Sequence, residues 1–197
     1  MEIEGLLTLP YKTTYFDTPN LHLYQAHHNG KLNRYKLRSR TYLVSGTVFN
    51  EVKNKNNKGR TIKKRIQRDT NASTYDSQFH DFAQNTYADV PEELIPQLDV
   101  HYDRATLVDS SFSERITIDT NLRFSHNDKN AALDNLVIVE VKREKGSAKT
   151  QSNSALKDLR CSAMGFSKYC IGVALTHTNI KQNNFKEKIR KARKLCK

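Results

Sequence analysis

In the segment LNRYKLRSRTYL, from Leu32 to Leu43, the residues divide with a period of two. Arg34, Lys36, Arg38, Arg40 and Tyr42 hold the even positions, while Tyr35, Leu37, Ser39, Thr41 and Leu43 hold the odd ones. Successive side chains of an extended chain point to opposite sides, so the segment reads as a β-strand with one cationic face. The division recurs in FNEVKNK (Glu51, Lys53, Lys55), TIKKRIQ (Lys63 and Arg65 with Thr61), HYDRAT (Tyr102, Arg104, Thr106) and VIVEVKRE (Ile138, Glu140, Lys142, Glu144). In the last of these, Val137, Val139 and Val141 form an apolar ridge on the opposite face.

A half-exposed antiparallel sheet often carries a solvated charged face. That account weakens when five strands repeat the cation row, because like charges about 7 Å apart repel by roughly 2 kcal/mol at an effective dielectric near 20. A polyanion on the face would remove that cost. Converging Arg and Lys head groups would give it charge-assisted hydrogen bonds worth about 1.5 to 3 kcal/mol each. A sheet closed with this face inward makes a phosphate tunnel, and an open one makes a basic groove. Glu140 matters because a purely cationic lining cannot hold a divalent metal, whereas a carboxylate in the row can. Glu51 and Glu144 are further acidic candidates, and an ion pair to a cross-strand cation is the competing role for Glu140.

Period-two alternation predicts strands near residues 11–17, 32–43, 47–55, 60–67, 101–108, 114–122, 136–144 and 169–176. Asn29-Gly30, Ser45-Gly46 and the stretch from Asn56 to Gly59 read as hairpin turns. Helical spacing predicts helices at 74–87, 91–97, 152–163 and 184–195, the last capped by Asn183 and basic on its outer face. An antiparallel meander with flanking helices, an α+β fold, follows. With no repeat or long linker, residues 1–178 form one expected domain and 179–197 a basic C-terminal helix.

The 197 residues suffice for one well-buried domain, and 33 Lys and Arg against 21 Asp and Glu leave a charge of +12. No stretch approaches the roughly 18 apolar residues that cross a bilayer, and MEIEGLLTLPY lacks the features of a signal peptide. A cytoplasmic protein is expected. Cys161, Cys170 and Cys196 form no metal-binding spacing and are expected as free thiols, two of them in the core. His27 and His28 are expected at a surface turn.

The motifs, taken in order, resemble a known family. YFDT (Tyr15 to Thr18), NGKLNRYKLRSRTY (Asn29 to Tyr42), Phe49 to Lys55, GRTIKKR (Gly59 to Arg65), YDR (Tyr102 to Arg104), ERITIDT (Glu114 to Thr120), VEVK (Val139 to Lys142) and FSKYC (Phe166 to Cys170) are similar to the vacuolar transporter chaperone (VTC) domain. This is the polyphosphate polymerase domain of the CYTH, or triphosphate tunnel metalloenzyme, superfamily. The resemblance implies an eight-stranded antiparallel tunnel barrel that binds ATP, triphosphate or polyphosphate with Mn2+ or Mg2+. It also implies transfer of the terminal phosphate of ATP to a growing chain.

By the same resemblance, Arg38 and Arg40 match an R-x-R-x-Y phosphate clamp preceded by Lys36. Lys53 matches an E-x-K strand, Lys63 and Arg65 a K-x-R strand, and Tyr102 and Arg104 a Y-x-R motif. Arg115 opens the next strand, and Glu140 and Lys142 stand at the metal-binding Glu and its neighbouring Lys. Ser167 and Lys168 match a K-F-S-K motif in which Gly165 replaces the first Lys. Arg38, Arg40, Arg115 and Glu140 are the expected catalytic set, since phosphoryl transfer asks mainly for positioning and charge neutralisation. The family opens with a strand and helix before the YFDT strand. Here only 14 residues precede Tyr15, so MEIEG reads as the second strand of an incomplete barrel with impaired transfer. The competing readings are a non-catalytic polyphosphate- or nucleotide-binding module and, more weakly, a nucleic-acid binder without a recognised motif.

Overall fold

The computed structural model describes residues 5–68, 75–87, 90–143 and 151–196. MEIEG apart from Gly5, and Glu144, lie outside the described residues. In chain order the elements are β1 (Thr8–Asp17), α1 (His22–His28), β2 (Arg34–Tyr42), β3 (Val48–Lys55), β4 (Thr61–Arg68) and α2 (Ser77–Thr86). They continue with β5 (Ile95–Val108), β6 (Glu114–His126), β7 (Lys129–Leu133), β8 (Ile138–Arg143), α3 (Gln151–Asp158), α4 (Lys168–Thr176) and α5 (Asn183–Leu195).

The strands form one antiparallel sheet in the order β4-β3-β2-β1-β5-β6-β7. The long β6 pairs β8 through Glu114–Asp119 and β7 through Leu122–His126, so these two strands lie end to end along one edge of it. The other edge strand is β4, and among the described residues the two edges do not meet. The sheet is therefore an open trough. Gly46 and Gly59 turn β2 into β3 and β3 into β4 at positive φ, a conformation that glycine adopts without steric cost.

Two apolar clusters hold the sheet. On the trough side, Tyr169, Ile171 and Val173 of α4 pack over Leu98, Val100, Leu122 and Phe124, with Phe185, Ile189 and Ala192 of α5 completing the cluster. On the outer side, Leu37 and Val52 pack with Phe16 and with Phe79 and Ala83 of α2. Asp17 is fully buried and ties these layers together. Its carboxylate accepts the N–H groups of Thr18, Leu23 and Tyr24, capping α1, and also the hydroxyl of Tyr169.

Several expectations change. Residues 169–176 form helix α4, not a strand, because KYCIGVALT is buried on nearly every side and so shows no helical period. Gly172 permits this packing: a Cβ there would fall 2.5 Å from both Leu98 and Phe124 side chains. Residues 91–94 are not helical, and β5 begins at Ile95, with Pro96 at an irregularity in its pairing to Phe16. Asn29-Gly30 ends α1 instead of turning a hairpin. Gln182, without a side-chain cap bond, stands where Asn183 was expected to cap α5. His28 is buried, and Asn184 donates to its carbonyl oxygen at 2.7 Å, joining α1 to α5. Cys170 is the one fully buried thiol among the three, all of them free. The valine ridge is open: Val137 is 55% exposed and Val139 39%.

Candidate functional site

Residues paired directly across a ladder share a face, so register decides which side chains meet. Across β2, β3 and β4 the pairs run Lys36–Lys53–Lys63, Arg38–Glu51–Arg65 and Arg40–Phe49–Gln67. Across β1 they run Arg38–Tyr15 and Thr13–Arg40, then Tyr11–Tyr102 and Leu9–Arg104 into β5. The face continues through Arg104–Asp119 and Thr106–Thr117–Glu140 to Val108–Arg115–Lys142. Every expected strand residue of the site thus lies on one face, the trough. Ser167 and Lys168 join it at the start of α4, where Lys36 donates to Ser167 Oγ at 2.8 Å and Lys168 bonds Asp119.

Two buried carboxylates organise the cations. Glu51 Oε2 takes Arg38 Nε at 2.5 Å, and its Oε1 takes Lys63 Nζ at 3.0 Å. Burial alone would raise its pKa, but Arg38, Arg40 and Lys63 outweigh it and hold the carboxyl at about 2. Asp119 accepts Arg104 through both oxygens, at 2.6 and 2.8 Å, and also Lys168. Its pKa is likewise lowered against the effect of burial, by Arg104 and Lys168. Glu51 is therefore paired with two cations. Glu140 is different. It is half-exposed, among the described residues it pairs with Lys142 of its own strand at 3.4 Å, and its pKa is lowered by Lys142, Arg104 and Lys53 although burial opposes this.

The middle of the trough is aromatic and cationic together. Tyr102 lies beneath the charged heads of Arg40, Arg104 and Lys168, with Lys168 Nζ 4.8 Å from its ring centre. Among the described residues the buried hydroxyls of Tyr102 and Thr117 have no hydrogen-bond partner. Burial first, then Arg38 and Lys36, lowers the Lys53 pKa, and burial lowers that of Lys168. Arg65 stacks on Phe49 at 4.5 Å. Arg115 and Lys142 face each other at the far end, both exposed.

The expected residues share the trough but do not all share a cavity. One cavity of about 270 Å³ takes in Lys36, Lys53 and Ser167, together with Arg34, Lys55 and Lys188. Asp119 was legible in ERITIDT, where it has the parity of Arg115. Lys188 carried no signal, because only packing brings α5 to the trough. No cluster of three His, Cys, Asp or Glu side chains able to hold a metal occurs among the described residues.

The comparisons with known proteins agree with this architecture. The crystal structure of a candidate adenylate cyclase from Bacillus halodurans superposes with a TM-score of 0.50 at 13% identity, covering 84% of this chain and 81% of that one. This is the α+β architecture of the CYTH-like tunnel fold, here with its sheet unclosed among the described residues. No curated protein sequence matches the chain. A model of the VTC domain matches residues 7–177, which span β1 through α4 and so every strand of the trough. The chain belongs to the VTC domain family.

Proposed function

We propose that the trough binds a linear phosphate chain, as ATP, triphosphate or polyphosphate, and that phosphoryl transfer to a growing polyphosphate is the reaction it serves. The observation that carries this reading is the register. It sets Lys36, Lys53 and Lys63 side by side and Arg115 opposite Lys142, arrangements of like charge that destabilise a sheet unless an anion lies over them. Glu51 and Asp119 orient the part-buried guanidiniums of Arg38 and Arg104, Asp119 also holding Lys168, which leaves Arg40, Lys36, Lys53 and Arg65 to surround the phosphates with Tyr102 and Ser167 as neutral donors.

The donor set fits a metal that arrives with its substrate better than a resident one. Mg2+ and Mn2+ are commonly held by one or two carboxylates plus substrate phosphates and water, and among the described residues Glu140 is the trough carboxylate not paired with two cations. Glu140 would hold such an ion, which would supply charge neutralisation between phosphate oxygens. The reading of the same trough as a binding module without turnover differs only in the chemistry that follows.

Thermal unfolding and calorimetric titration with tripolyphosphate test the binding. Tripolyphosphate should raise the melting temperature in proportion to the logarithm of its concentration and bind better than a DNA duplex of equal phosphate content at moderate salt. Arg40→Met, which removes a guanidinium that forms no salt bridge among the described residues, should cost at least about tenfold in tripolyphosphate affinity with little change in stability. A duplex bound more tightly than tripolyphosphate would overturn the reading. Metal-dependent synthesis of polyphosphate from ATP, lost in Glu140→Gln, would separate the enzyme from the binding module.

A further inference from the structure

Beyond the clamp of Arg38 and Arg40, the β2 row continues to Lys36 and Arg34. Side chains on one strand face repeat about every 7 Å, so the row from Arg40 to Arg34 is about 20 Å long, more than three bridged phosphates can span. At its far end lies the 270 Å³ cavity, walled by Arg34, Lys36, Lys53 and Lys55 from the sheet, Ser167 from the start of α4, and Lys188 from α5. None of its lining residues is acidic. Arg34 and Lys55 stand directly opposite each other in the ladder. The buried Nε of Arg34 has no hydrogen-bond partner among the described residues.

We propose that this cavity is a second anion subsite, which takes the phosphates beyond the third, and that Lys188 is the contact that gives the site its preference for long chains. The proposal rests on the phosphate-chain reading of the trough and adds to it a length-sensing wall supplied by a different element. Lys188 Nζ lies 3.8 Å from where a side chain at Gly165 would begin, so the ammonium of α5 occupies the space beside a position that carries no side chain of its own. The opposite flank of α5, with Lys186, Arg190 and Arg193, faces a separate groove over Ala174 and Leu175. The two flanks therefore have different roles. His27 also lines the cavity. Burial first, then Lys36, with Arg34 and Lys55 adding to it, push its pKa down to about 3.

The test is calorimetric titration of the full chain with tripolyphosphate and with a long-chain polyphosphate, over a range of salt. The wild type should favour the long chain. Lys188→Gln should lower long-chain affinity by about tenfold and reduce its salt slope by about one, while tripolyphosphate affinity stays within about twofold. Lys186→Gln, on the other flank, should change neither. An equal effect of Lys188→Gln on both ligands, no effect on either, or an equivalent loss in Lys186→Gln would overturn the subsite. Wild-type protein that binds tripolyphosphate without a length preference would also sink the subsite but leave the trough reading intact. Failure to bind tripolyphosphate at all would remove the trough reading itself.

Discussion

The two arms of the sheet that flank β1 carry the same alternating pattern and finish it differently. In the β2–β3–β4 arm, buried Glu51 holds Arg38 and Lys63 on the trough side, while Leu37 and Val52 on the outer side lie fully buried with Phe79 and Ala83 of α2. In the β5–β6–β8 arm, buried Asp119 holds Arg104 and Lys168, yet on the outer side Leu107 is 50% exposed and Val139 39%. Both arms neutralise a crowded cation row with one shared acid. Helix α2 packs behind the first arm, whereas at the second Ser152 of α3 donates to Glu114 Oε1 at 2.7 Å. The trough-side solution is therefore set by strand register, whereas coverage of the outer face is a separate matter of where a helix lands. The β5–β6–β8 arm also retains Glu140, a carboxylate paired with Lys142 among the described residues, together with the exposed cations Arg115 and Lys142.

The sharpest way to break this comparison is to set a committed acid against an open one. Glu51→Gln leaves Arg38 and Lys63 without their counter-charge in a largely buried setting, and should cost about 3 to 5 kcal/mol of unfolding free energy. Glu140→Gln, half-exposed, should stay within about 0.5 kcal/mol. Urea denaturation of the two variants measures both, and equal losses would mean that the acids are not distinct.

Acid comes next. Glu51 has a folded pKa of about 2 against an ordinary value of 4.5. A depressed carboxyl contributes stability that is present above about pH 4.5 and lost as the pH falls toward 2, here about 3 kcal/mol. His27, held near 3 against 6.5, acts in the same direction, since the unfolded chain takes up its proton first on acidification. Urea midpoints should fall from pH 7 to pH 5 and more steeply from pH 5 to pH 3, and Glu51→Gln should flatten the lower part. A flat profile in the wild type between pH 5 and pH 3 would contradict the electrostatics described for the β2–β3–β4 arm.

The smallest contrast compares the outer faces directly. Val52→Ala, at a fully buried position, should cost about 2 kcal/mol through lost burial and an incompletely filled cavity. Val139→Ala should cost less than about 0.5 kcal/mol. Similar losses would indicate that something covers the β8 face in solution.

Much of the site could be read from parity alone. Arg38, Lys53, Arg104 and Lys142 fall on one face because the side-chain period of a strand is two and antiparallel pairing keeps that parity across ladders. The roles of the acids could not be read in the same way. Glu51 and Glu140 share the same strand chemistry, and only pairing to Arg38 and Lys63 in one case, and exposure beside Lys142 in the other, separates them. The errors are instructive as well. KYCIGVALT lost its helical period because it is buried nearly all round, and Asn29-Gly30 has the same chemistry at a helix end as in a hairpin.

By itself, the sequence determined most of the strands, their cationic faces and the VTC resemblance that the family match bears out, since each depends on local alternation and on ordered short motifs. Only the tertiary structure decided which carboxylates are committed, that α4 fills one end of the trough, and that Lys188 of α5 enters it. Those outcomes depend on contacts between residues far apart in the chain, such as Lys36 with Ser167, Lys168 with Asp119 and Asn184 with His28. Their physical cause is burial. A charge removed from water must find a partner wherever the packed elements bring one, and no local pattern encodes which partner that is.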